Sequence, residues 1–203
     1  RIAEGLDPTR LINDPRAAPF EAQIDEPNRR VVVVVRPDDE LRFSYRGRDV
    51  PAASHPTIAA SLARVAGVRA DDVVWDPFVG SGLELCERGL LGPFAKLIGT
   101  DTSDDALRAA RENASRAGLS VDLIRGDATG HTPSGVTLII TNPPMGRRIA
   151  RDSDVANLLD RFIDSASPRL AAGGRLVWLS PFPGKTAQKL ATHGLEVERH
   201  APV

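Results

Sequence analysis

The chain carries one cysteine, one tyrosine and one methionine among 203 residues, and its longest apolar run is the five valines at 31–35. A lone Cys86 excludes an internal disulfide and a cysteine metal site. The four histidines, His55, His131, His193 and His200, are scattered without ligand spacing, so no zinc site is expected. No stretch has the length of a membrane span or the layout of a signal peptide, and the chain reads as cytosolic. Charge is nearly balanced: 26 basic and 27 acidic residues leave a net of -1, and bulk electrostatics give no sign of a nucleic-acid binder. Lysine is scarce, with Lys96, Lys185 and Lys189 set against many arginines. Arginine suits phosphate forks and base stacking, and GC-rich coding also enriches it. The first residue is Arg1 rather than methionine, which reads as a partial or trimmed chain.

What is present divides near residue 50. The length and the 41% hydrophobic content suit one domain of ordinary size with a small appendage. Residues 1–50 are rich in Pro, Asp and Arg. Within them, residues 31–36 and 41–46 read as two strands joined by the Pro37-Asp-Asp-Glu40 turn, a hairpin belonging to the end of an upstream domain. From residue 54 helices and strands alternate. The first helix opens at Ser54-His-Pro-Thr57, shows Ile58, Leu62 and Val65 on one face, and closes at Gly67. A helix over 83–90 takes in Cys86 as a small core residue. Ser103 caps a third helix with Asp104 and Asp105 in its first turn, an apolar face of Leu107, Ala110 and Ala114, and Gly118 at its end. A fourth carries Val155, Leu158, Leu159, Phe162 and Ile163, and a short fifth spans 186–192. Strands are expected at 73–75, 97–100, 121–124, 136–140, 175–179 and 195–199. Short apolar strands separated by helices predict a Rossmann-like, doubly wound, mostly parallel α/β sheet over residues 51–203, with the small N-terminal β-hairpin as an appendage.

Two strand ends carry the chemistry. Asp76-Pro-Phe-Val-Gly-Ser-Gly82 follows the first of these strands, where Gly80 and Gly82 allow a tight turn and close approach to a ligand, and the next helix offers its N-terminal amides. A nicotinamide fingerprint would need a third glycine at position 85, which is leucine. Asp76 beside the turn disfavours a pyrophosphate and suits the ammonium of a methionine moiety, which tilts the reading to S-adenosylmethionine. Asp101, at the end of the second strand, suits both ribose hydroxyls. Asp127 and Ala128, at the end of the third, suit the adenine amino group and ring. Each acid taken alone is also what a turn or helix cap shows. Asn142-Pro143-Pro144-Met145-Gly146 follows the fourth strand. There the Asn142 oxygen and the Pro143 carbonyl can accept both N–H bonds of an exocyclic amine, and the prolines fix the backbone. The loop contains no strong general base, and positioning supplies the rate.

These motifs resemble those of the class I, Rossmann-like amino-methyltransferases. Within them the chain is most similar to the THUMP-associated RNA guanine-N2 methyltransferases, which modify tRNA or 23S rRNA. Arg46-Gly-Arg-Asp-Val-Pro, Ser54-His-Pro-Thr-Ile-Ala-Ala60 and the 142–151 stretch add to the likeness, which covers residues 42–203. The resemblance implies an S-adenosylmethionine site formed by Thr57, Asp76, Phe78, Gly80, Ser81, Gly82, Asp101, Thr102, Asp127, Ala128 and Asn142. It implies a catalytic loop of Asn142, Pro143, Pro144 and Met145, with RNA as substrate and no metal. Arg147, Arg148 and Arg151 are candidates for phosphate contacts, with Arg42, Arg46 and Arg48 behind them. Ser54 and Thr57 are expected to cap the first helix and approach the methionine carboxylate, and His55 is expected to be structural. Two departures stand out. The family places an aromatic ring where Met145 stands, and no THUMP domain is recognisable in residues 1–50. The family fold also ends on an antiparallel strand, so the domain is expected to be truncated at its C-terminal side. The same loop type serves N6-adenine and protein glutamine-N5 methylation, and a catalytically silent cofactor-binding module would carry the same fold.

Overall fold

The structure, a computed structural model, describes residues 20–35, 43–51, 53–130, 133–145 and 152–200. The chain divides into two compact units, residues 1–44 and 45–203.

In the first unit β1 (Phe20–Asp25) pairs antiparallel with β2 (Arg30–Val35), Phe20 opposite Val35 and Asp25 opposite Arg30. The valines favour extended backbone. The turn is built by Asn28, whose backbone N and Nδ2 donate to the Asp25 carboxylate at 3.3 and 2.8 Å, and by Arg29 in the left-handed region at φ 49°. The hairpin expected from the sequence therefore has its valine strand in place but a different partner. That partner precedes the valines, because the alternation Phe20, Ala22, Ile24 against Glu21, Gln23, Asp25 fits a strand and Asp25–Arg29 supplies the turn. Of the strand expected at 41–46, Leu41 and Arg42 lie outside the described residues, and residues 43–45 form a turn.

The second unit runs α1 (Pro56–Ala66), β3 (Val73–Asp76), α2 (Leu83–Leu91), β4 (Lys96–Asp101), α3 (Asp104–Arg116), β5 (Asp122–Arg125), β6 (Leu138–Thr141), α4 (Asp152–Ala166), β7 (Arg175–Trp178) and α5 (Pro183–Ala191). The five strands are all parallel, in the order β5-β4-β3-β6-β7. Strand period two divides the core cleanly. Val74, Leu97, Leu138 and Ile140 pack with Leu62, Leu85, Leu107 and Ala110 of α1, α2 and α3. Trp75, Ile98 and Ile139 pack on the opposite face with Phe162 and Ala166 of α4. There Trp75, Phe78 and Trp178 stand around the Phe162 ring at centroid distances of 5.8, 5.4 and 5.9 Å. Among the described residues no helix is long and apolar enough to cross a membrane.

Local sequence accounts for the helix ends. Ser103 caps α3 by accepting from the Ala106 amide, as expected, and Gly67 closes α1 at φ 68°. At the start of α1 the cap is His55, whose ring accepts from the Thr57 amide; Ser54 is turned elsewhere. The buried face of α1 is rotated from the one the pattern suggested, because Ala59, Ala60, Leu62, Ala63 and Ala66 fill it while Val65 is 55% exposed. Cys86 is fully buried, and burial pushes its thiol up to about 12, consistent with a core filler. Residues 195–200 run without strand structure, so the strand expected at 195–199 does not form in the described residues. Its alternation of Leu195, Val197 and Arg199 leaves Val197 52% exposed, with too little apolar surface to hold it against the sheet.

Two buried polar knots hold the unit. At the amino end of the sheet Asp72 accepts from Arg88 at 2.9 Å, Arg175 at 2.7 Å and Thr137 at 3.0 Å, with Asp72 and Arg88 wholly buried. Burial alone would raise the Asp72 carboxyl, but these three partners together hold it below its usual value. On the α3 side Asn113 uses its full hydrogen-bonding capacity. Its Oδ1 accepts from the Gly47 and Arg48 amides at 2.9 and 3.0 Å, and its Nδ2 donates to the Arg48 and Ser81 carbonyls at 2.8 and 2.9 Å. The segment before α1 is thereby fastened to the glycine loop.

Candidate active site

Strand order decides where a ligand can sit. From β3 the chain moves outward to β4 and β5, then returns across β3 to lay down β6 and β7. The carboxyl ends of β3 and β6 therefore flank the crevice where open parallel sheets bind ligands. The last residue of β3 is Asp76 and the last of β6 is Thr141, so the glycine loop and the Asn-Pro-Pro loop leave neighbouring strands at this point.

The glycine loop is fixed from three sides. Gly80 and Gly82 take φ 50° and 79°, which only glycine adopts freely, and a Cβ on Gly82 would stand 3.1 Å from Ala110 Cβ on α3. The Val79 amide donates to the Thr100 carbonyl at 2.9 Å, and the Gly80 amide donates to Asp101 Oδ2 at 3.0 Å. Asp101 Oδ1 accepts from the Ser103 amide at 2.9 Å. Asp101 thus ties the loop to the end of β4, and each of its oxygens keeps a lone pair free for a hydroxyl.

Asp76 is fully buried at the mouth of this loop. Its Oδ1 accepts from Thr141 Oγ1 at 2.6 Å and from the Phe78 amide at 3.1 Å, while its Oδ2 has no partner. Burial, followed by the charge of Glu84, pushes its carboxyl well above the usual range against the lowering effect of those two bonds. Glu84, in the first turn of α2 and 4% exposed, is raised by burial as well. Glu84 is absent from the residues the sequence singles out. An acid two positions after the second glycine was the available signal.

Ser54 Oγ donates to Glu84 Oε1 and accepts from Asn142 Nδ2, the latter at 2.9 Å. Asn142 Oδ1 is buried and unpartnered. Pro143 is buried, Pro144 half-buried, and Met145 39% exposed at the rim. The site therefore joins Ser54, Asp76, Glu84, Asp101, Thr141 and Asn142 from five separate segments.

Other expected residues fall around this centre. Ser81 is buried beneath the loop, its carbonyl held by Asn113. Phe78 turns its ring into the aromatic cluster, so its place near the site is through its backbone. Thr57 is exposed at the start of α1, and Thr102 is exposed after β4. Asp127 closes its own turn, accepting from the Thr129 amide and hydroxyl at 2.8 and 2.9 Å, which hold its carboxyl below the usual value; Ala128 beside it is buried. Arg46 pairs with Asp49, and the Arg48 backbone is held by Asn113. Gly146, Arg147, Arg148 and Arg151 lie outside the described residues.

The donor set fits S-adenosylmethionine. A buried carboxyl oxygen without a partner beside a glycine turn is what an ammonium group would complete, and the half-buried Asp101 one strand away retains acceptor capacity for hydroxyls.

Comparison with known proteins points to methyl transfer as well. The family described as the RMKL-like methyltransferase domain matches residues 44–196. The chain is 33% identical over 157 residues to the tRNA (guanine(10)-N2)-dimethyltransferase of Methanothermobacter thermautotrophicus, covering 75% of this chain and 46% of that protein. It is 36% identical over 133 residues to the tRNA (guanine(6)-N2)-methyltransferase of Thermus thermophilus, covering 63% of this chain and 39% of that protein. The crystal structure of TrmN from Thermus thermophilus superposes with a TM-score of 0.64 at 30% identity, over 79% of this chain and 48% of that one. The chain thus spans about half the length, or less, of these relatives.

Proposed function

The chain belongs to the RMKL-like methyltransferase domain family, and on that premise we propose that it is the catalytic domain of an RNA methyltransferase that methylates the exocyclic N2 of guanine in tRNA or rRNA. The observation carrying this reading is Asn142: a buried amide oxygen without a partner, next to Asp76 at the switch point of the sheet. The two tRNA guanine-N2 relatives support RNA guanine as the acceptor class.

S-adenosylmethionine is the methyl donor, and it supplies the methyl group on a sulfonium that leaves as a neutral thioether. Asp76 Oδ2 would receive the donor's ammonium, and Asp101 would receive its ribose hydroxyls. Asn142 Oδ1 and the Pro143 carbonyl accept the two N–H bonds of the guanine amine. The amine lone pair, otherwise delocalised into the ring, is thereby held in line with the methyl carbon. Pro143 and Pro144 restrict the backbone, so the acceptors are in place before the base arrives. As the N–C bond forms, positive charge would build on the amine and strengthen both hydrogen bonds, so stabilisation would be greatest in the transition state. The methylated ammonium then gives up one N–H proton to solvent to leave the neutral secondary amine. Met145 covers one face of the base.

Mass spectrometry of nucleosides from tRNA and rRNA incubated with the protein and S-adenosylmethionine tests this reading. N2-methylguanosine is expected. Label found only in N6-methyladenosine, or only on protein glutamine, would overturn it.

A further inference from the structure

We propose that Ser54 and Glu84 are positioning residues for methyl transfer: they hold the Asn142 side-chain nitrogen and so fix its oxygen as the acceptor offered to the substrate amine. The proposal rests on the methyl-transfer reading of Asn142 given above. Its basis is the directionality of a three-residue chain. Glu84 enters from the first turn of α2, Ser54 from the segment ahead of α1, and Asn142 from the end of β6. Glu84 and Ser54 are 4% and 9% exposed.

A carboxylate can only accept a hydrogen bond, and a serine hydroxyl has one proton to give. With that proton directed to Glu84 Oε1, Ser54 Oγ can only accept from Asn142. The amide must then present Nδ2, which lies 2.9 Å from Ser54 Oγ, and Oδ1 is left over. Oδ1 is the buried atom without a partner. The reversed amide would set Oδ1 against a hydroxyl oxygen that has no proton left, and would leave two N–H groups where the substrate amine also brings N–H groups. Ionised Glu84 thus decides which end of Asn142 faces the substrate. Burial raises the Glu84 carboxyl and so opposes its ionisation; a cationic donor beside Asp76 favours the ionised form, and it is in that form that the orientation is dictated. A serine or glutamate that only held loops together would be indifferent to which end of the amide it met.

The test uses two independent readouts on the wild type, Ser54→Ala, Ser54→Thr, Asn142→Ala and the Ser54→Ala/Asn142→Ala double variant. The first is methylation of bulk unmodified tRNA with tritiated S-adenosylmethionine. Ser54→Ala is expected to lower kcat by about 10- to 100-fold with KM and donor Kd changed less than about threefold, and Ser54→Thr to recover most of the rate. The double variant should be no slower than Asn142→Ala alone, because Ser54 acts through that amide. A further loss in the double variant, or a Ser54→Ala defect confined to donor binding, would overturn the proposal.

The second readout needs no acceptor. In ¹⁵N spectra of protein saturated with S-adenosylmethionine, the Asn142 side-chain amide, assigned by its disappearance in Asn142→Ala, should exchange slowly in the wild type and Ser54→Thr. It should exchange fast in Ser54→Ala and Glu84→Gln. An Asn142 amide indifferent to both changes sinks the proposal whatever the acceptor. If no RNA is methylated while the amide behaves as expected, the RNA reading fails and the positioning role stands.

Discussion

Thr141 Oγ1 donates to Asp76 Oδ1 at 2.6 Å, joining the last residues of β6 and β3 inside the core, where both side chains are fully buried. This bond couples the start of the Asn-Pro-Pro loop to the start of the glycine loop. It also favours the charged form of Asp76, against the three influences that raise it, burial and the charges of Glu84 and Asp101. Thr141→Val keeps the shape and removes the proton. It should cost about 1–3 kcal/mol of folding stability, since a buried acceptor loses its partner. It should also weaken S-adenosylmethionine binding at neutral pH, because Asp76 becomes harder to ionise. Urea unfolding and titration calorimetry measure the two effects separately; unchanged donor affinity would mean Asp76 does not meet the ligand's cation.

The Asp76 and Glu84 carboxyls lie above their usual 3.8 and 4.5 because both are buried, and the charges of Glu84 and Asp101 raise Asp76 further. Between those usual values and the raised ones, the unfolded chain has released protons that the folded chain keeps. Stability of the ligand-free protein therefore falls as pH climbs through that window. Glu84→Gln should flatten the dependence in urea unfolding as pH climbs above the usual carboxylate range. Donor affinity has the opposite slope, because an ammonium favours the ionised pair. Calorimetry in buffers of different ionisation enthalpy should register proton release on binding, and no buffer dependence would refute the coupling.

Asp72 behaves in the reverse sense. Its carboxyl is held below the usual 3.8 by Arg88, Arg175 and Thr137, so its contribution is complete above that value and is lost as pH falls through the lowered one. Arg88→Met leaves a fully buried carboxylate short of its main partner and frees the Arg69, Gly92 and Pro93 carbonyls that Arg88 also serves. The expected cost is about 3–5 kcal/mol. Because the knot sits at the amino end of the sheet, donor affinity of the folded fraction should be unchanged. Thermal unfolding with and without S-adenosylmethionine separates these outcomes.

Much of this architecture was legible because it is written in short-range patterns. Val73–Asp76, Lys96–Asp101 and Leu138–Thr141 are apolar runs ending in polar residues, and Ser103 with Asp104 and Asp105 announces α3 directly. The candidate site's loops were legible for the same reason, since Gly80, Gly82 and Asn142-Pro-Pro are local signals. What escaped depends on long-range partners. Asn113 looked like an ordinary helical residue, and only the fold brings it to Gly47, Arg48 and Ser81. Arg88 and Glu84 carry charge inside helix α2, where composition suggests solvent, yet both are buried against partners far away in sequence. Ser54 was assigned to helix capping because its neighbours fit a cap; His55 takes that role, and the Ser54 hydroxyl goes to Glu84. The hairpin's first strand was missed because Pro27, in its turn, obscured a clear alternation.

Met145 gives the sharpest prediction about the acceptor. It is 39% exposed at the end of the Asn-Pro-Pro loop, two residues after the buried Pro143, so its side chain is available to an incoming base and not committed to the core. A thioether covers an aromatic face through polarizability but imposes no ring plane. Stacking on an aromatic side chain is worth about 1–3 kcal/mol per base. Met145→Tyr should therefore lower KM for tRNA, and Met145→Ala should raise it, with donor Kd unchanged in both. If tyrosine instead raises kcat while KM stays fixed, the base is already bound and the missing ring costs alignment with the methyl. Initial rates across a tRNA concentration series decide between these, and identical rates for the wild type and both variants would remove Met145 from the acceptor site.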